Sequence, residues 1–305
     1  MVKNTDIKLK GHGSFYLREG WIKKGFTGIE NETFSKSKVE MIDELGVGSN
    51  MVAAIKYWLK ATGTAEDKKG SGNKNYLRFT EVLGRILNEK DPYLEDIGTV
   101  ALLHYKLVNN FKMATSWNIM FNEFNSKEFS KRDVEEFIAQ ELTRMGYTNF
   151  PLASIDNDVQ CILKTYLKNI DDNKNLNPEE NNICPMTELG IIEKQRYSNG
   201  QVIYEKRKIK KNKFDKLIFL YIILEKTIEK GLEGTSTTID NLLNENGNVG
   251  KTFNLDRNDI NQYLDELSDC GYLRVVRTAG LNQIYFDTKE LRRVDILDEY
   301  YGRNN

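Results

Sequence analysis

Asp256-Arg257-Asn258-Asp259-Ile260-Asn261-Gln262-Tyr263-Leu264-Asp265-Glu266-Leu267, then Gly271, then Tyr272-Leu273-Arg274-Val275-Val276-Arg277, then Gln283-Ile284-Tyr285-Phe286: this stretch decides the fold class. Asp256 is a good helix cap, and Asp259 puts a carboxylate in the first turn, where it favours a helix start. Ile260, Tyr263, Leu264 and Leu267 recur at helical spacing. Gly271 closes that helix. Residues 272–277 and 283–286 read as paired strands around a turn containing Gly280.

Upstream, Asp215 to Lys230 reads as a helix. Leu217, Leu220, Tyr221, Leu224 and Ile228 lie on one side and Ile218, Ile222 and Ile223 on the other, so burial on most faces is expected. Gly231 and Gly234 stop it. Thr237 or Thr238 then caps a second helix, with Ile239, Leu242 and Leu243 inward, and a loop runs from Asn244 to Gly250. Three helices followed by a hairpin is the winged-helix order, expected over residues 205–290. Arg257, Asn258, Asn261 and Gln262 lie off the apolar stripe, and their guanidinium and amide groups match base edges in a major groove. Arg274 and Arg277 flank the wing and suit phosphates. Protein contact stays open as the role of this module, because Asp259, Asp265 and Glu266 dilute its positive face.

A similar pattern stands earlier in the chain. Ser35 or Ser37 caps a helix with Val39, Met41, Ile42 and Leu45. Gly46-Val47-Gly48 turns, and a second helix carries Met51, Val52, Ile55, Trp58 and Leu59. A Gly- and Lys-rich loop, residues 68–74, leads to a short strand at 76–80. Lys56 and Lys60 lie off the stripe, available to phosphates or simply to solvent. The middle of the chain is helical. Asn199-Gly200 between two apolar runs marks a hairpin, and Lys206, Arg207, Lys208, Lys210, Lys211 and Lys213 follow as a basic run. That run suits a phosphate backbone or a solvated linker.

The whole-chain balance limits these readings. Lys+Arg is 44 and Asp+Glu 45 in 305 residues, a net charge of −1, which excludes a generic polycation. Three cysteines with no close pair, and only His12 and His104, argue against a disulfide framework or a classical zinc site. No signal peptide or membrane span is visible, so a cytoplasmic protein without membrane association is expected.

Several strings, in order, resemble a bacterial family of unknown-function domains found in DNA phosphorothioation gene clusters of the Ssp and Dnd type. They are His12-Gly13-Ser14-Phe15 with Leu17-Arg18-Glu19-Gly20-Trp21, Leu45-Gly46-Val47-Gly48-Ser49-Asn50-Met51-Val52, Asp91-Pro92-Tyr93-Leu94-Glu95-Asp96, Cys161-Ile162-Leu163-Lys164-Thr165-Tyr166, and Cys184-Pro185. The resemblance covers roughly residues 11–290. It implies partners in sulfur insertion: a cysteine desulfurase, an ATP-using sulfotransfer enzyme and an ATPase. It also implies kinship to the component that nicks DNA in single-strand systems.

Nicking would need carboxylates that gather Mg²⁺ or Mn²⁺ around a water. Asp91, Glu95 and Asp96 form one candidate cluster, and Asp156 and Asp158, before a helix, form another. His12, beside Arg18 and Glu19, is a candidate general base with a phosphate clamp. Each carboxylate also suits a turn or a helix start.

The expectation is therefore a mainly α protein with small β-hairpins (α+β), two winged helix-turn-helix modules joined by a helical middle region. Its divisions would be an N-terminal helix-turn-helix domain at 1–96, a central helical region at 97–190, and a hairpin, basic segment and winged helix at 191–305. Its function would be DNA binding within a phosphorothioation and anti-phage defence system, with nicking as a metal-dependent addition. The alternative is a non-catalytic winged-helix scaffold for modification-complex proteins. A homodimer is compatible with either.

Overall fold

Helix caps and glycine turns written into the sequence set most element boundaries. A computed structural model describes residues 7–70, 75–168, 183–229, 236–278, 281–286 and 291–303. The expected helix stop at Gly231 and Gly234, the turn at Gly280 and the loop residue Lys74 lie outside these. The chain is mainly helical with three small antiparallel sheets among the described residues, and its contacts divide into two units, 1–206 and 207–305.

The first unit begins with α1 (Trp21–Glu30), α2 (Lys38–Leu45) and α3 (Ser49–Ala61). Ser37 and Glu40 form a reciprocal capping box at the start of α2. Gly46 ends α2 at φ 60°, a left-handed conformation that costs glycine little. Along α3, Val52, Ile55, Trp58 and Leu59 are buried at helical spacing, as the periodicity predicts. β1 (Ala65–Lys69) pairs with β2 (Asn75–Phe79) as a hairpin. Lys68 and Lys69, expected in a loop, belong to β1; Glu66-Asp67-Lys68-Lys69 has little strand propensity, and pairing with β2 supplies what local preference lacks.

Next come α4 (Leu83–Lys90), α5 (Ile97–Asn109), α6 (Thr115–Asn122), β3 (Glu128–Phe129), α7 (Lys131–Arg144) and α8 (Leu152–Tyr166). α5 is the core helix of this unit: Leu102, Leu103, Tyr105, Leu107 and Val108 are all buried. α8 corrects one expectation. Asp156 and Asp158 lie inside it, not before it, because Pro151 supplies the helix entry one turn earlier. β4 (Ile192–Arg196) and β5 (Val202–Lys206) form the hairpin signalled by Asn199-Gly200, and β3 adds to β5.

The second unit holds α9 (Lys216–Glu229), β6 (Ser236–Thr238), α10 (Ile239–Asn244), α11 (Val249–Phe253), α12 (Arg257–Asp269), β7 (Leu273–Thr278), β8 (Leu281–Phe286) and α13 (Arg293–Arg303). Residues Leu217 to Leu224 of α9 are buried on every side, as expected. Asp256 and Asp259 form a capping box on α12. The sheet order is β6-β8-β7, so the hairpin's second strand is central. Two elements were not anticipated: β6, from the same threonines that cap α10, and α11, a short helix begun by Asn248 inside the expected loop. The expected three-part division differs from this two-unit grouping, because the β4–β5 hairpin joins the first unit through β3.

Candidate nucleic-acid interface

The loop at 10–15 is fastened to α8 by a buried charge. Asp158 Oδ1 accepts from the Lys10 amide at 2.8 Å and lies 2.8 Å from His12 Nε2; its Oδ2 accepts from Ser116 Oγ at 2.6 Å. The Ser14 amide donates to His12 Nδ1 at 3.1 Å, so the ring hydrogen sits on Nε2 and points at Asp158. Trp58 and Trp117 pack around the imidazole, and Trp58 Nε1 donates to the Phe15 carbonyl. His12 is 0% exposed. A general base needs a nitrogen that reaches substrate; both nitrogens of His12 are engaged, which makes the ring a fastener. Ser116 and Lys10 were not anticipated as its partners, since their closeness arises only from tertiary packing.

The other carboxylates named from the sequence are similarly engaged. Asp91 is buried and accepts from the Glu95 and Asp96 amides at 2.9 and 3.1 Å. Asp96 caps α5, accepting from Gly98 and Thr99. Glu95 is exposed. On α8, Asp156 turns outward to pair with Lys131 and accept from Gln160, while Asp158 turns inward. The Lys131 ammonium holds the Asp156 carboxyl below its ordinary value. Asp156 and Asp158 therefore do not face one ion. Among the described residues no group of three His, Cys, Asp or Glu is placed to hold a metal. These residues do not fit a Mg²⁺ or Mn²⁺ ligand set.

The basic residues divide by unit. Lys206 is buried, donating to the Met120 and Phe124 carbonyls at 2.7 and 2.5 Å, so it leaves the expected phosphate-binding run. Along α12 most cations meet carboxylates. Lys208 pairs with Asp256 and Asp259, Lys211 with Glu266, Arg257 with Asp240, and Arg277 with Asp265 at 2.6 Å. Arg277 also donates to Asn261, and Arg274 lies over the Tyr285 ring. Arg207 is half-buried, with its carbonyl accepting from Asn254. Lys210, Asn258 and Gln262 remain exposed.

The α1–α3 region differs. Lys24 is exposed and donates to the Leu45 carbonyl at 2.8 Å, at the turn between α2 and α3. α3 starts at Gly48 with no side-chain cap and no acidic residue in its first turn. Its leading amides and dipole are open to an anion. Lys38 is exposed at the start of α2. An open groove beside the turn is lined by Ile42, Asp43, Gly46, Val47, Gly48 and Met51. Arg18 lies over Phe15, Tyr16 and Trp21, and Glu19 is exposed. Lys56 is directed at the Phe34 ring and carbonyl, and its burial lowers its pKa. Lys60 pairs with Asp67 at 2.9 Å. Lys24 was not a candidate from the sequence; its post at the turn needed the structure.

A solved structure described as magnesium ion-bound SspB is similar to this chain at TM-score 0.83 and 26% identity, covering 97% of this chain and 88% of that one. Another, described as SspB, is similar at TM-score 0.82 and 25% identity, with the same coverage. No curated protein sequence matches. A family model described as protein of unknown function DUF4007 matches residues 9–301, and the chain belongs to that family.

Proposed function

We propose that the protein is a DNA-binding component of a bacterial DNA phosphorothioation system. The likeness to SspB and the motif resemblance support the setting. The observation that carries DNA contact is the α2–α3 turn: an uncapped helix start beside Lys24, with Lys38 exposed at the other end of α2. Neither lysine is held by a carboxylate among the described residues. In this reading α2 and α3 are a helix-turn-helix, with α3 entering a groove and the lysines meeting phosphates. Asp91, Asp96, Asp156 and His12 are engaged elsewhere, so we assign them no hydrolytic step.

The test is a titration of the full chain with a labelled duplex between about 50 and 200 mM salt. Log affinity should fall linearly with log salt. Affinity that is flat across this range overturns the reading. A supercoiled-plasmid assay with Mg²⁺ and Mn²⁺ reports separately on nicking.

A second reading applies to the 207–305 unit. Its order of helix, strand, helices and hairpin, with the last strand central, supports a winged helix. Its cations are largely neutralised by its own carboxylates, which favours a protein-contact role over phosphate contact. Gel filtration of the full chain with the system's desulfurase, sulfotransfer enzyme and ATPase, each in turn, tests this. Co-migration that persists after charge-neutral substitutions on α12 counts against it.

A further inference from the structure

The Asp91–Asp96 segment does more than enter α5. Asp91 clamps the loop by accepting two amides, and the Leu94 amide donates to the Asp91 carbonyl at 3.4 Å. Leu94 takes φ 60°, a left-handed conformation that disfavours a residue with a side chain, yet its side chain is buried as an anchor. The residue this rigid loop displays is Tyr93, which is 58% exposed. Lys23 Nζ, from α1, stands 5.9 Å from the Tyr93 ring centroid. Lys23 has no carboxylate partner and no hydrogen bond among the described residues.

A rigid exposed aromatic face beside an unneutralised ammonium matches the two parts of a nucleotide, the flat base and the charged phosphate. Tyr16 and Trp21 are buried and share the Arg18 guanidinium with Phe15, whereas Tyr93, with Lys23 over one face, keeps 58% of its surface exposed and so has ring area open to stack on. We propose that Tyr93 is a stacking platform for an unpaired nucleobase, with Lys23 on the adjoining phosphate. The proposal rests on the DNA-binding reading above and narrows it to DNA with an opened or extruded base.

The experiment compares two labelled duplexes of one sequence, fully paired and with a single unpaired adenine. It uses the full chain and its Tyr93→Ala, Tyr93→Trp and Lys23→Gln variants. Wild type should bind the unpaired-base duplex about tenfold tighter, the scale of one stacking contact. Tyr93→Ala should lose that preference while keeping paired-duplex affinity, and Tyr93→Trp should restore it. Lys23→Gln should reduce the preference and lower the salt slope by roughly one unit on the unpaired-base duplex. Equal binding of both duplexes by wild type overturns the platform and leaves the DNA reading standing. A preference that survives Tyr93→Ala also overturns it. Binding of neither duplex overturns the DNA reading, and the platform with it.

Discussion

The α2–α3 turn and the surface of α12 treat their cations in opposite ways. At the α2–α3 turn Lys24 meets no carboxylate among the described residues, and a hydrogen-bonded pair of the same unit, His12 with Asp158, is buried. Around α12 the pairs lie at the surface, with Lys208, Lys211, Arg257 and Arg277 each matched by a nearby acid. The sequence has more basic residues near α12 and the run before it, so counting charges favours that end. The difference teaches that a cation's availability depends on what the fold sets beside it.

Energetics should follow the same division. Asp158 satisfies His12, Ser116 and the Lys10 amide together inside the protein. Asp158→Ala leaves all three donors without this acceptor and should cost about 3 kcal/mol or more, since one buried polar group left unsatisfied costs about 1–3 kcal/mol. Asp265→Ala removes only one surface partner of Arg277, leaving Asn261, and should cost no more than about 1 kcal/mol. Urea unfolding of the full chain measures both. Similar losses would break the comparison.

Much of the fold was legible because its signals are local. Capping residues located the starts of α2 and α12, apolar periodicity located α3 and α9, and Asn199-Gly200 located a hairpin. β1 was hidden because its charged residues become a strand only against β2. The site was less legible. Asp156 and Asp158, two residues apart, look like a pair in sequence, but two steps along a helix turn side chains to opposite faces. One therefore meets Lys131 and the other His12. Lys206 reads as part of a basic run but ends β5, where it is buried and donates to the Met120 and Phe124 carbonyls.

Thiols extend the comparison to alkaline pH. Cys184 and Cys161 are buried in the first unit and Cys270 is exposed in the second. Burial pushes the Cys184 thiol from 9.0 up to about 12. The folded state then keeps its proton while the unfolded chain loses it, so this contribution is whole below pH 9 and is lost as pH rises towards 12. Between pH 8 and 10, wild type should lose about 1.4 kcal/mol more stability than Cys184→Ala, the value of roughly one pKa unit. Paired denaturation curves at the two pH values decide, and an equal loss in Cys184→Ala and wild type goes against the burial argument.

The smallest expected effect concerns single surface charges in DNA binding. Each phosphate contact releases about 0.9 of a counterion on a duplex, so losing one contact flattens the log–log salt slope by that amount. Lys24→Gln should produce this change. The substitution also removes the bond to the Leu45 carbonyl, so Lys24→Arg, which can keep both the bond and the charge, should retain the full slope. Arg277→Gln should leave the slope unaltered, since its charge is already balanced by Asp265. A slope that drops for Arg277→Gln and holds for Lys24→Gln would invert the comparison. It would mean that DNA displaces Asp265 and Asn261 from Arg277, and that the pairs on α12 are a latch that opens on binding.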